Sequence, residues 1–503
     1  MKPIRAKIII KNKKIISKEE STETIITIDG KEYNFGESLV LPGLVDAHAH
    51  VYALGLKLNG LNLDDTISAQ DCVAKAVNRS RYKGDWIIGR GWNQENWKNA
   101  KYPNASILDE AFPNTPVALT RIDGHAMWVN SKALELANIK KNTVAPEGGE
   151  IRKFKSGKPT GILVDNAMNL INKLVPKVNK EEKAKYILDA IDNCIEKGLT
   201  EIHDMDVSFD VLDIYKELDK AGKLKIRINC YMGAQNNNWQ AYQQKPIESE
   251  MLRIIGLKFF ADGALGSRGA ALLEPYTDDK DNTGLFLIDK DILLKSALEG
   301  IKLGWQIATH AIGDAANRMV LDVYEEIRKL GFNDTILRIE HAQIVHNDDL
   351  SRFSELNIFP IVQPIHFVSD AKMMIKRLGI RANYGYPWRS FISKDVTLVA
   401  SSDFPIESNS PWLGIDAFIN RIPVDEENSW FAEEKITLSE SFTAYTINTH
   451  SSTGVKTRGT LDINSDADML VINGDFNGKD RDNLRETEPI CVVINGTVQY
   501  LKQ

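Results

Sequence analysis

From about Lys180 onward the apolar positions of the chain switch repeatedly between two spacings. In "KEEKAKYILDAIDNCIEKG" residues Ile187, Ile191, Cys194 and Ile195 recur at intervals of three and four, which places them on one face of a helix; Gly198 stops it, and "LTEIHD" follows. The same unit returns as "KDILLKSALEGIKLG" before "WQIATH" and as "AANRMVLDVYEEIRKLG" before "ILRIEH", with Gly304 and Gly331 as the stops. A weaker copy, "DDLSRFSELN", precedes "IFPIVQP", and "VTLVASSD" closes the series, while "IRINCYM" and "IIGLKFF" fill the interval. These strand runs are mostly continuous in apolar residues, as strands buried on both faces should be. Counting the run that ends at His50, "SLVLPGLVDAHAH", there are eight, alternating largely with helices. That count and order predict a parallel (β/α)8 TIM barrel over residues 43–53 and 172–454.

Outside this rhythm the pattern changes twice. Residues 1 to 42 and 455 to 503 alternate apolar and polar positions in short strands, and the simplest way to satisfy two such sheet fragments is to pair them as one small terminal β-sandwich. Residues 54–171 lose the helix-to-strand alternation and are rich in tryptophan and turn residues, as in "RIDGHAMWVNSKAL". The segment is too long for a connecting loop. We read it as a subdomain inserted after the first barrel strand and expect it to cover the barrel mouth, because its root lies at that end.

Composition narrows the function classes. Among 503 residues, 43% are apolar and 26% charged, and the net charge is −7, which gives no basic footprint for nucleic acid or an anionic membrane. No signal-peptide core and no membrane-length apolar window appear, so a cytoplasmic location is expected. The four cysteines are scattered without close pairs, which argues against a disulfide framework or a thiolate metal site.

The chemistry sits at the strand ends. In a strand alternate side chains leave on one face, so His48 and His50 point to one spot. The fifth strand ends in His310, the sixth in His341 and the eighth in Asp403, while Lys258 lies on the fourth among apolar neighbours. In a barrel of this kind the C-terminal strand ends carry the active site. A donor set of imidazole and carboxylate suits a divalent transition ion, Zn2+ above all.

The stretches "PGLVDAHAH", "GLKFFADGALGSR", "ATHAIGDAAN", "RIEHAQIV", "QPIHFVSD", "SSDFP" and "RGTLDINSDADMLVI" together resemble amidohydrolase family 3 of the amidohydrolase superfamily, the group that contains N-substituted formamide deformylases. The resemblance runs over nearly the whole chain. It implies a metal-dependent hydrolase of an amide or related C–N bond, with one or two ions held by His48, His50, His310, His341 and Asp403 and a carbamylated Lys258 as bridge in a two-metal site. The alternative for Lys258 is an amine paired with a carboxylate such as Asp262. In the hydrolytic reading metal-activated hydroxide attacks and Asp403 serves as general base. Trp92, His125, His203, Arg268 and His366 are the residues expected to shape the substrate pocket, with a structural role the competing reading for each. A deaminase or lactonase on the same metal set, and a non-catalytic binding protein on a hydrolase barrel, are the rival functions. The expected partner is a small-molecule substrate, with a homodimer left open.

Overall fold

The computed structural model describes residues 2–78, 86–122, 124, 126–146, 148–234, 245–473 and 484–502. Its chain divides into two compact units, Met1–Val51 with Ala190–Gln503, and Tyr52–Asp189.

The first unit holds eight parallel strands: β1 (Leu44–Ala49), β2 (Leu199–Val207), β3 (Arg227–Gly233), β4 (Leu252–Phe260), β5 (Gln306–Ala311), β6 (Leu337–His341), β7 (Ile358–Val362) and β8 (Val399–Ala400). They pair in sequence order, and the ring is closed beyond the end of β8, where the Asp403 N–H donates to the His48 carbonyl and the His50 N–H to the Phe404 carbonyl. Every residue of β1 and β6 is buried, which is why these strands read as unbroken apolar runs with a few polar interruptions. The helices between them end as their sequences require. Gly304 and Gly331 take φ of 95° and 92°, a left-handed turn that a side chain resists, and in the weaker copy Asn357 serves at φ 51°.

The two ends of the chain share one core. Ala6–Lys11 buries every second residue, and Ala6, Ile8 and Ile10 pack with Val40, Met469, Val471 and Val493. Leu39–Pro42 pairs antiparallel with Met469–Ile472, so N- and C-terminal segments lie side by side in a four-stranded sheet, with a second four-stranded sheet from Ala6 to Asn34. A bidentate ion pair between Arg227 of β3 and Asp468, both buried, ties the barrel to this sandwich.

The second unit, inserted after β1, is a six-stranded mixed sheet with helices. Its strand Ala126–Val129 shows the period of two: Ala126 and Trp128 enter one core cluster, Met127 and Val129 the other.

Candidate functional site

The expected constellation gathers in one place. His48 and His50 at the end of β1, Lys258 on β4, His310 on β5, His341 at the end of β6 and Asp403 beyond β8 all line one cavity of about 410 Å3. His48, His50 and Asp403 can offer one ligand atom each within 4.8 Å of one another, and His341, His366 and Asp403 form a second such group. His366, on the helix Pro364–Leu378 that follows β7, therefore stands beside the metal candidates rather than only along the pocket wall.

The other nitrogens of three of these histidines are already in use. His48 Nδ1 lies 2.6 Å from Glu340 Oε2, His50 Nδ1 lies 3.0 Å from the Met205 carbonyl, and His341 Nδ1 lies 2.8 Å from Gln363 Oε1. Gln363 is fixed in that sense because its amide N–H groups donate to the Ile361 carbonyl and Ser401 Oγ. A carbonyl or an ionised carboxylate only accepts, so each of the three Nδ1 atoms carries a proton and each ring is held with its Nε2 free of those acceptors. Two of those Nε2 atoms, of His48 and His50, lie 3.5 and 3.2 Å from Asp403 Oδ1. The Nε2 of His366 has no hydrogen-bond partner among the described residues, and that of His310 lies 3.4 Å from Asp262 Oδ1. Imidazoles gathered with a carboxylate at one cavity, His48 and His341 among them buried, fit a divalent transition ion.

Burial works to lower His50, yet the adjacent Asp403 carboxylate raises it above its ordinary value, whereas His48 and His341 shift the other way. Burial, aided by the positive Lys258, pushes His48 down to about 4, and burial together with neighbouring rings holds His341 well below its ordinary value, so both are neutral at physiological pH. Burial works to raise Asp403, yet the surrounding histidines hold its carboxyl well below the usual carboxylate range. Burial pushes Lys258 down to about 8, and its Nζ lies 4.9 Å from the Phe260 ring centroid. The Asp262 carboxylate does not take up this lysine; it accepts the backbone N–H groups of Ala271, Ile312 and Gly313. His341 and Asp403 have φ of 72° and 60°, unusual for residues with a side chain, a strain held in place by the strand-end packing.

The other pocket candidates fall elsewhere. Trp92 is fully buried in the core of the inserted unit, against Trp97 and Trp128, and its indole N–H donates to the Leu119 carbonyl at 2.7 Å; it lies in that core, where the reading of the sequence expected a pocket wall. With no exposed surface and its one donor already used, it has nothing left to offer a substrate. His203 is buried inside the barrel with its Nδ1 3.0 Å from an Arg338 nitrogen, and Arg268 pairs with Asp278; neither lines the cavity. His125 lies outside the described residues. The cavity wall is instead apolar through Phe260, Leu265, Ile312 and Met373, with Asp370 and Glu407 as its outer carboxylates. Sequence reasoning missed Glu340, Arg338 and Gln363. A signal existed for the first two: Arg338 and Glu340 stand two apart on a buried strand, so opposite charges share one face.

Comparison with known proteins agrees with this picture. The model of the amidohydrolase family matches residues 33–500. The chain is 35% identical to a putative amidohydrolase, YtcJ, of Bacillus subtilis, over 94% of this chain and 91% of that one. It is 34% identical to Protein LONG AFTER FAR-RED 3 of Arabidopsis thaliana, over 83% and 74%, and 26% identical to an N-substituted formamide deformylase of Arthrobacter pascens, over 97% and 93%. Among solved structures it is similar to a metal-dependent hydrolase from Pyrococcus furiosus, with a TM-score of 0.76 and 28% identity over 94% of this chain and 99% of that one.

Proposed function

Because the chain belongs to the amidohydrolase family, whose model spans residues 33–500, we propose that it is a metal-dependent hydrolase of an amide or related carbon–nitrogen bond. The observation that supports this most is the set of three histidines whose Nδ1 atoms are all committed to acceptors, which leaves their Nε2 atoms available at one cavity shared with Asp403. His48, His50, His310, His341 and Asp403 would hold the metal, with His366 within reach of it. A divalent ion there, zinc being the first choice, supplies Lewis acidity and brings the pKa of a water towards neutrality.

The residues of the chain do the rest. Asp403 stays ionised and is placed to accept a proton as general base, then to return it to the departing nitrogen, without which an amine leaves poorly. The apolar wall of Phe260, Leu265, Ile312 and Met373 excludes water around the scissile bond and seats an uncharged acyl group. Lys258, with its pKa lowered to about 8, has a substantial neutral fraction near physiological pH, and its amine can add CO2 with loss of a proton to become an anionic carbamate. That modification is part of the proposal for a two-ion site. The formamide deformylase relative makes N-substituted formamides the first substrates to try.

The test begins with protein purified without chelator, in which elemental analysis should give roughly one to two transition ions per chain. A screen of formamides, acylated amines and cyclic amides should then reveal release of acid and amine. Absence of bound metal, together with no activity on any of these after adding zinc, manganese or cobalt, would sink the reading.

A further inference from the structure

Beyond the candidate ligands, the barrel interior contains a buried ion pair that the proposed chemistry does not yet use. Arg338 and Glu340 are both 0% exposed. Arg338 donates through Nε to Glu340 Oε1 at 2.9 Å and through Nη2 to Oε2 at 3.3 Å. Oε2 is the same atom that faces His48 Nδ1 at 2.6 Å. The guanidinium cannot swing away, because Nη2 also donates to the Ala47 carbonyl at 2.6 Å and Nη1 to Tyr231 Oη at 3.1 Å, and its carbon lies 4.6 Å from the Tyr231 ring centroid. Arg338 thus grips both the backbone just before His48 and the carboxylate that holds the His48 ring.

We infer that Glu340, clamped by Arg338, is a positioning residue for His48, fixing its ring plane and its Nδ1–H tautomer so that Nε2 is presented unprotonated to a metal. The inference rests on the metal-dependent reading proposed above only in its last step; the tautomer stands on the geometry alone. Contrast within the site carries the argument. His50 and His341 are oriented by neutral acceptors, a backbone carbonyl and an amide oxygen, which suffice to set a tautomer. Burying a full carboxylate and a guanidinium is costly, and an apolar pair would hold a barrel together as well. The charge is explained if it acts on the imidazole: an anionic acceptor makes the ring a stronger electron donor than a neutral one does. His48 is then the strongest donor among the three, and Arg338 keeps Glu340 ionised and immobile.

Glu340→Gln tests this sharply. Arg338 can only donate, so the introduced amide must turn its oxygen to Arg338 and its NH2 towards His48 Nδ1, which then has to accept; the ring proton moves to Nε2. Long-range 15N–1H correlation spectra of the metal-free protein should show Nδ1–H at His48 in the wild type and Nε2–H in the variant. Chelator competition should show zinc binding weakened about 10–100-fold. Glu340→Asp, which keeps the charge, should retain Nδ1–H and recover most of the affinity. A variant E340Q that keeps Nδ1–H, or that binds zinc as tightly as wild type, overturns the inference. Should E340Q fail to fold, the wild-type spectrum decides, since Nε2–H at His48 there refutes the assignment and Nδ1–H supports it. A wild-type protein with Nδ1–H at His48 that binds no zinc would instead remove the metal-dependent reading and leave the orientation intact.

Discussion

Substituting Gln363 by methionine separates orientation of a ligand from mere filling of space. Gln363 is 2% exposed, and methionine has nearly its length and volume, so the cavity contribution that follows a truncation is absent. What disappears is three hydrogen bonds: the acceptor for His341 Nδ1 and the two donors to the Ile361 carbonyl and Ser401 Oγ. Each bond leaves a buried partner unsatisfied at about 1–3 kcal/mol, so stability should fall by about 3–9 kcal/mol against a reserve of roughly 5–15 kcal/mol, and the denaturation curve shows whether the variant is folded. The His341 ring is then free to carry its proton on either nitrogen. Losing such a partner weakens metal binding by about 10–100-fold, or about 1.4–2.7 kcal/mol. The assay is competition for zinc against a chelator of known affinity, with a denaturation curve on the same samples. A folded Gln363→Met protein whose zinc affinity equals that of wild type would refute the claim that the amide oxygen directs His341 towards a metal.

Three further outcomes follow from particular contacts. Asp403→Asn should abolish turnover of any substrate found while substrate still binds, checked by kinetics beside calorimetric binding. Trp92→Ala should cost about 3–5 kcal/mol of stability in the inserted unit, because it empties a core, and should appear as a lowered unfolding midpoint rather than as a raised KM. Arg389 pairs bidentately with Glu440, which also caps the helix Leu438–Ala444, and these bonds hold the Glu440 carboxyl at about 2 against an ordinary 4.5. A carboxylate depressed on folding contributes stability that is present above about 4.5 and lost as pH falls towards 2, so the gap between wild-type and Glu440→Gln unfolding midpoints should shrink across that window. A gap that stays constant from pH 6 to pH 3 would count against the pair.

The residues that line the cavity were legible because they break the apolar runs of the barrel strands, most of them at strand ends, where the barrel geometry gives polar side chains a common destination. His48, His50, His310, His341 and Asp403 were found at strand ends and Lys258 within a strand among apolar neighbours, and all six line the cavity. Gln363 gave no such signal, since a glutamine after a strand and before a helix reads as an ordinary junction; its value lies in which atom it presents, and that depends on Ile361 and Ser401. Trp92 misled for a related reason. Its place in the chain, soon after a strand bearing ligands, says where its segment is rooted, but burial is decided by the sheet it joins, and a tryptophan-rich segment with its own six-stranded sheet must first fill its own interior. The terminal sandwich was readable from strict alternation, as Ala6–Lys11 shows.

The seam of the barrel has a temporal meaning. Asp46 accepts both the N–H and the hydroxyl of Ser402, residues 356 positions apart, and the next contacts along the same seam join the His48 carbonyl to Asp403 and the His50 N–H to Phe404. During synthesis, then, the first two imidazoles emerge early and wait for nearly the whole chain before their carboxylate arrives. A nascent or truncated polypeptide has no complete coordination pocket to seize an ion at the wrong moment. The cavity is complete only once the last strand is sewn to the first, so any ion it takes would be a receipt for finished folding.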